Sequence, residues 1–299
     1  MNSKEKIITI GMAVFNEEKY IAEAIESLLA QTYKDFIFII SDNASTDRTS
    51  KICKYYAERD KRIIYIRQSR NLGAFFNSRY VLDKTNTPLF MWASGHDKWH
   101  PQFVEKLLPV IQKEDLILIY PQSRVIKIDG SIGEIYQDDY TTIGEEEPTK
   151  RYLYILKNIR HYNILHGIWK TQILKSCYIR PVISNDILLL LSASLLGKFK
   201  QYKQPLFFRR IVRNERSRDK YLRQFCMITG KNVSKRFYVQ FFKLNFILEN
   251  IKMLLQKNLP LSIKSRFILI IYTTYKWSTK FYIRPILRRI FKSIRFLFK

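Results

Sequence analysis

An α/β fold built on a parallel, doubly wound sheet is predicted by three features of this sequence. Apolar runs of strand length alternate with segments whose apolar residues recur at helical spacing. Several runs end in a polar turn that opens directly into a helix, the order that lays parallel strands into one sheet. A hydrophobic content of 46% over 299 residues suffices for a substantial core and excludes a disordered chain.

The elements follow in order. Residues 7–15 read as a buried first strand, and Asn16-Glu17-Glu18 opens a helix carrying Ile21, Ala24, Ile25, Leu28 and Leu29 at helical spacing. The apolar run from Phe36 has the character of a strand buried on both faces, and it stops at Ser41-Asp42-Asn43-Ala44-Ser45. Ser45 or Thr46 is expected to cap the next helix, with Asp47 in its first turn and Ile52 and Tyr56 within it. A carboxylate between a buried strand and a helix lies where open α/β sheets bind ligands. Asp42 is therefore either an acceptor for a base or a ribose, or an ordinary turn aspartate. A short third strand over 63–67 leads through Arg70-Asn71-Leu72-Gly73 to a helix containing Phe76 and Tyr80. A fourth strand over 87–93 ends in Ser94-Gly95-His96-Asp97-Lys98-Trp99-His100-Pro101, followed by a helix over 102–112 and a strand over 116–120. Beyond it the alternation weakens. Residues 136–150 are expected as an acid-rich loop over one face of the sheet, 163–174 and 186–196 as helices, and 199–202 and 206–211 as strands.

Charge sets further bounds. Fifty-two Lys and Arg against 26 Asp and Glu leave a net +26, which calls for an anionic partner. The excess is uneven: after Glu249 there are twelve cationic residues and no acidic one. The division expected is a sheet domain over 1–218 and a basic, amphipathic helical region over 219–299. From Pro285 onward Ile286, Leu287, Ile290, Ile294 and Leu297 share one helical face, and Arg288, Lys292, Arg295 and Lys299 share the other. Such a helix either lies in the plane of an anionic membrane or docks on its own domain. Cys53, Cys177 and Cys226 have neither metal-ligand spacing nor the pattern of a disulfide framework, which suits a reducing cytosol. The N-terminal residues carry no signal-peptide pattern, and no apolar run reaches the ~20 residues of a membrane span. The expected location is the cytoplasm, peripheral on the inner face of the membrane. Because the basic residues concentrate in an amphipathic tail and no nucleic-acid module is present, no nucleic-acid partner is expected.

An ordered set of motifs resembles family 2 glycosyltransferases, which have the GT-A fold. It comprises Val14-Phe15-Asn16-Glu17-Glu18-Lys19-Tyr20-Ile21, then Ala24-Ile25-Glu26-Ser27-Leu28-Leu29-Ala30-Gln31-Thr32-Tyr33, then Ser41-Asp42-Asn43-Ala44-Ser45-Thr46-Asp47. Arg70-Asn71-x-Gly73 with Asn77, the strand ending toward Asp97, Asn185-Asp186, Leu195-Leu196-Gly197-Lys198-Phe199 and Pro205-Leu206-Phe207-Phe208-Arg209-Arg210 continue it. The resemblance runs over about 6–216 and leaves the C-terminal part uncovered.

The resemblance implies a GT-A, Rossmann-like, mostly parallel sheet flanked by helices and an inverting transfer of a sugar from a nucleotide-sugar donor. The acceptor would be a glycan or a lipid-linked sugar, in cell-surface polysaccharide synthesis. The donor's nucleotide would lie against Ala13, Phe15, Glu17, Asp42 and Asn43, with Arg70, Asn71 and Gly73 beside it; an aromatic stacked on a base contributes about 1–3 kcal/mol. Ser94-Gly95-His96-Asp97 falls where the family carries an Asp-x-Asp-like motif for a divalent cation, Mg²⁺ or Mn²⁺. Asp97 keeps the expected type, whereas His96 replaces the preceding acid, and imidazole suits Mn²⁺ better than Mg²⁺. Asp186 matches the acceptor-side base, with a helix cap as its other reading. Arg209 and Arg210 would meet the diphosphate, and His166-Gly167 would line the acceptor pocket. The histidine that often follows such an arginine pair is replaced by Ile211-Val212-Arg213. Two rival readings are a nucleotide-binding member that has lost catalysis and a basic nucleic-acid-binding protein.

Overall fold

The computed structural model describes residues 6–182, 184–212, 235–256, 259–262, 265, 266, 268–270, 272 and 273. The chain winds through β1 (Ile8–Val14), α1 (Ile21–Leu29), β2 (Phe36–Asp42), α2 (Thr49–Ala57), β3 (Ile63–Arg67), α3 (Ala74–Asp83) and β4 (Leu89–Ala93). β1 pairs in parallel with β2 and β4, and β2 with β3, so these strands finish along one rim. Alternation along each strand sorts the side chains into two layers. Ile8, Ile10, Met12 and Val14 join Ile21, Ile25 and Leu28 of α1 in one apolar cluster. Thr9, on the other face, is buried and shares a hydrogen bond with the Thr87 hydroxyl at 2.8 Å.

The second half adds β5 (Lys98–Trp99), α4 (Phe103–Lys113), β6 (Leu118–Ile126), β7 (Ile132–Ile135), α5 (Pro148–Asn158), a 3₁₀ turn (Asn163–His166), β8 (Ile168–Lys170), α6 (Thr171–Ser176), α7 (Asn185–Leu196) and β9 (Phe199–Arg210). The sheet runs β3-β2-β1-β4-β8-β6-β9-β5, with β7 paired to β6. β8 is antiparallel to both β4 and β6, whereas β6 and β9 are parallel. The expected α/β class holds, with β8 joining two parallel groups and β5 and β7 also antiparallel to their neighbours.

Several expected elements differ. The helix expected over 163–174 is a 3₁₀ turn, β8 and α6, because Ile168 and Trp169 are fully buried between β4 and β6. β6 runs on to Ile126 through Pro121, and past it the register to β9 shifts, with the extra residues on β9 on either side of Pro205. The two strands expected over 199–211 are one, β9. The stretch expected as a loop over 136–150 gives way at Pro148 to α5, with proline in the helix's first turn. α2 begins only at Thr49. Asp47 lies ahead of it and accepts the Thr49 amide at 2.9 Å, in place of a Ser45 or Thr46 cap.

The C-terminal region adds α8 (Lys235–Leu254). Phe246, Met253, Leu254 and Leu269 are fully buried in the same cluster as Tyr152 of α5 and Leu188, Leu190 and Leu191 of α7. The buried Tyr152 hydroxyl bonds to the Asn250 side chain and, at 2.9 Å, to the Thr273 hydroxyl. The Tyr178 hydroxyl donates to Glu249 at 2.8 Å. These described residues after 219 thus share the apolar cluster of α5 and α7. The amphipathic face expected over 286–299 lies outside the described residues. Among the described residues no helix is long and apolar enough to cross a membrane.

Candidate active site

Asp42 ends β2 with its side chain wholly buried. Its Oδ1 accepts the Ser45 amide at 2.8 Å, and its Oδ2 accepts the Tyr65 hydroxyl at 2.9 Å and Arg67 Nη1 at 2.7 Å. Burial above all, with the Asp42 carboxylate beside it, pushes the Tyr65 hydroxyl up to about 12, so it stays a donor. Asp42 is therefore the hub of the turn it closes and not an open acceptor in a surface crevice. Within that turn Ala44 sits at φ 59, a region non-glycine residues seldom adopt.

A second network joins this turn to the start of α3. Asn43 donates from Nδ2 to Asn71 Oδ1 at 2.8 Å and accepts the Leu72 amide at 2.7 Å. Asn71 Oδ1 also accepts the Gly73 amide at 2.8 Å. Gly73 has φ 87 and ψ 155, a conformation essentially closed to other residues. A Cβ there would meet nothing within 4 Å, so backbone geometry and not crowding calls for glycine. Arg70 is exposed at the rim, and Phe15, 42% exposed, is no core aromatic.

The turn after β4 is locked from two sides. Asp97 is only 2% exposed; its Oδ1 accepts the Arg210 amide at 2.7 Å and its Oδ2 accepts the Ser94 hydroxyl. His96 Nδ1 meets Glu17 Oε1 at 3.0 Å. A Cβ on Gly95 would stand 2.9 Å from Glu17 Cγ, so glycine lets Glu17 lie against the turn. Burial opposes protonation of His96, but the Glu17 hydrogen bond and the Asp97 and Glu17 charges together outweigh it and raise its pKa. Arg210, expected at the diphosphate, is committed elsewhere. Its Nε donates to the His96 carbonyl at 2.9 Å, its Nη2 to Glu23, and its guanidinium stacks 4.5 Å from the Tyr20 ring centre.

Of the expected motif Asp97 is the one carboxylate that could hold a Mg²⁺ or Mn²⁺ ion, which takes about six ligands, mostly oxygens, and can draw most of them from phosphates and water. Asp97 already accepts a hydrogen bond on each oxygen, and His96 is engaged by Glu17. Among the described residues no three His, Cys, Asp or Glu side chains converge as a metal site.

Beside Ser94 opens a cleft of about 440 Å³, lined by Ala13, Asn163, His166, Asp186 and Arg209 together with apolar side chains such as Phe75, Trp92 and Leu189. Asp186 lies in the first turn of α7, just after Ser184 at φ 63. Burial pushes its carboxyl up to about 6. His166 Nδ1 is 3.1 Å from the Trp92 carbonyl, which can only accept, so that nitrogen carries the proton. Burial lowers the His166 pKa and keeps the ring neutral, stacked 4.9 Å from Phe207. Asn163 Oδ1 accepts from Arg209 Nη1 at 3.3 Å.

The structure thus sorts the expected residues into three groups. Ala13, Asp186 and Arg209 share the cleft with His166. Phe15, Asp42, Asn43, Arg70, Asn71 and Gly73 form the rim over β1, β2 and α3. Glu17, His96, Asp97 and Arg210 make the locked turn. Sequence reasoning missed Tyr65, Arg67 and Asn163. The first two occupy alternate positions in β3, so one face of a strand beside Asp42 was a usable signal; Asn163 had none.

A parallel-sheet rim closed by the β2 aspartate, with a carboxylate and a guanidinium in an adjoining cleft, has the architecture of the GT-A glycosyltransferases. Residues 9–176 match Glycosyl transferase family 2, more than half of the chain, and the chain belongs to that family. An uncharacterized glycosyltransferase of Methanocaldococcus jannaschii, MJ1057, is 49% identical over 129 residues, 42% of this chain and 44% of that protein. The putative glycosyltransferase EpsE of Bacillus subtilis is 34% identical over 114 residues, 38% of this chain and 41% of its own. The chain spans less than half the length of these curated relatives. Among solved structures, S. aureus TarS 1–349 in complex with UDP-GlcNAc aligns with a TM-score of 0.63 at 15% identity, over 92% of this chain and 73% of that one. The mannosyltransferase PcManGT of Pyrobaculum calidifontis, in complex with GDP-Man and Mn²⁺, aligns with a TM-score of 0.52 at 12% identity, over 94% and 84%. Identities this low speak for the fold alone.

Proposed function

We propose that the protein transfers a sugar, with inversion, from a nucleotide-sugar donor to a hydroxyl of a glycan or lipid-linked acceptor in cell-surface polysaccharide synthesis. The observation that carries this reading is Asp186, a carboxyl raised to about 6 by burial in a cleft that also holds Arg209. A carboxylate of that pKa is ionised at neutral pH and well matched to accept a proton. In the proposed step the acceptor hydroxyl gives its proton to Asp186 while its oxygen bonds to the anomeric carbon. The bond from that carbon to the diphosphate oxygen breaks, and its electron pair leaves with the nucleoside diphosphate. Attack opposite the leaving group inverts the centre.

Phe15, exposed at the end of β1, offers a face for the base, and the Asn43–Asn71 latch with Gly73 holds the adjoining loop. Asp42 supports the nucleotide site from behind, through Arg67 and the Ser45 turn. The basic stretch over 281–299 would hold the enzyme at the inner face of an anionic membrane, near a lipid-linked acceptor. The test is donor hydrolysis and transfer over a panel of nucleotide sugars, in wild type and Asp186→Asn. Wild-type turnover that falls about a hundredfold or more in the variant, with donor binding retained, is expected of a general base. No turnover of any donor would favour a nucleotide-binding member without catalysis, and undiminished turnover in the variant would reduce Asp186 to a helix-end residue.

A further inference from the structure

We infer that Arg67 selects the nucleobase of the donor, presenting N–H donors at the edge where the family resemblance places the Asp42 carboxylate. The inference rests on the glycosyl-transfer reading and deepens it at the nucleotide end of the site. Asp42 ends β2 in register with Val14 of β1 and Arg67 of β3, so these three side chains share one face of the sheet at its rim. The Asp42 side chain has no exposed surface, whereas that of Arg67 is 41% exposed. Arg67 Nη1 donates to Asp42 Oδ2 at 2.7 Å, and the Tyr65 hydroxyl donates to the same oxygen at 2.9 Å. A lone pair left over on Asp42 is therefore out of a ligand's reach, and the group that meets solvent on this side is the guanidinium.

Arg67 is itself held in place beside the expected base. Its Nη2 donates to the Ser45 carbonyl at 3.0 Å. The Ser45 hydroxyl in turn accepts the Asn16 amide at 3.0 Å, which ties the same residue to the end of β1. Phe15, 42% exposed, stands between Val14 and Asn16, so a base lying on its ring would have the Ser45–Arg67 edge beside it. The contacts to Asp42, Ser45 and Tyr65 engage only some of the guanidinium's five N–H groups. A guanidinium donates and never accepts, so the base edge facing it must bring lone pairs; a carboxylate in that place would call for an N–H. Uracil and cytosine differ at such an edge. N3 of uracil carries a hydrogen, and N3 of cytosine carries a lone pair next to those of O2. Arg67 in front of Asp42 thus turns an edge suited to uracil into one suited to cytosine.

The experiment is calorimetric titration of the full chain with UDP and CDP. Their ribose and diphosphate are identical, so the ratio of the two affinities reports the base alone. CDP is expected to bind the unaltered chain at least as tightly as UDP. Arg67→Met keeps much of the stem and removes the donors. It should weaken both nucleotides through the lost charge, and shift their ratio toward UDP by about tenfold or more, as befits a hydrogen bond to a charged group. Arg67→Lys keeps a charge beside Asp42 but loses the planar fork, and should shift the ratio the same way by a smaller factor. Thermal unfolding checks that each variant is folded, and the lysine variant decides if Arg67→Met does not fold. UDP binding to the unaltered chain about tenfold or more tighter than CDP, or a ratio that moves less than about threefold in the folded variant, overturns the inference and leaves the glycosyl-transfer reading intact. If neither nucleotide binds, the inference fails; turnover of another nucleotide sugar then preserves the transfer reading, and turnover of none removes both.

Discussion

At the scale of the single residue, Asp42 and Asp186 show how differently one side-chain type behaves in two settings. Asp42 is surrounded by the Ser45 amide, the Tyr65 hydroxyl and Arg67, and its charge is matched where it is made. Replacing it by alanine strands three donors, two of them on partly exposed side chains that water reaches. Asp42→Ala should therefore lower the folding free energy by about 1–3 kcal/mol, seen as a lower denaturant midpoint with unchanged slope. An unchanged midpoint would show that the hub is dispensable. Asp186 has no such matching, and burial alone holds its carboxyl near 6. Below that pH the carboxyl is protonated and cannot accept a proton, so kcat/KM for transfer should fall as pH drops through about 6 and level off above it. A profile flat from pH 5 to 8, on about the scale where histidine and perturbed carboxyls titrate, would remove Asp186 from the proton step.

At the scale of elements, the first half of the fold was legible because its signals are local. β1, α1, β2 and α2 each carry their own periodicity, and parallel pairing needs only that they alternate. β8 was not legible. Ile168 and Trp169 become strand only because β4 and β6 flank them, and no window of sequence contains those partners. The same limit hid the state of the site. Asp42 was recognisable by type and place, yet its saturation depends on residues 23 and 25 positions away, brought in by the β2–β3 register. The turn after β4 is a similar case, since Arg210 reaches Asp97 from a strand 113 residues further on. That turn is coupled to the end of β1 through Glu17 and His96. His96 has a raised pKa in the fold, so the stabilisation from this pair is complete below the ordinary histidine value of about 6.5 and fades as pH rises through the higher folded value. Glu17→Gln should lower the His96 pKa, read from the ring proton shifts in an NMR titration, and flatten that part of the stability profile. An unmoved titration would mean that Glu17 and His96 do not interact in solution.

At the scale of the whole molecule, the question is what the C-terminal region is for. Composition alone made it an appendage, because twelve cationic residues follow Glu249 without one acid among them. Packing divides it. Phe246, Met253, Leu254 and Leu269 belong to the core cluster of α5 and α7, and Asn250 and Thr273 satisfy the buried Tyr152 hydroxyl. Glu249 anchors Tyr178, three residues before Pro181 at the wall of the cleft. A chain ending at 218 would expose these apolar faces and leave the Tyr152 hydroxyl without its partners. Burying a single large apolar side chain is worth about 1.5–3 kcal/mol, so the loss of several is comparable to a typical stability margin of about 5–15 kcal/mol. A chain ending at 280 keeps all of those contacts and loses only six of the cationic residues, each worth about 1 kcal/mol beside an anionic surface. The two truncations should therefore fail differently. The chain ending at 218 should unfold at a markedly lower temperature or aggregate. The chain ending at 280 should melt like the full chain, bind nucleoside diphosphate as well, and sediment less with vesicles containing phosphatidylserine. Part of the full chain's vesicle binding should resist high salt, because the apolar residues interleaved over 281–299 contribute a term that ions do not screen. Equal sedimentation of the full chain and the chain ending at 280 would rule out the anchor. A chain ending at 218 as stable as the whole would show that residues 1–218 fold without the C-terminal region.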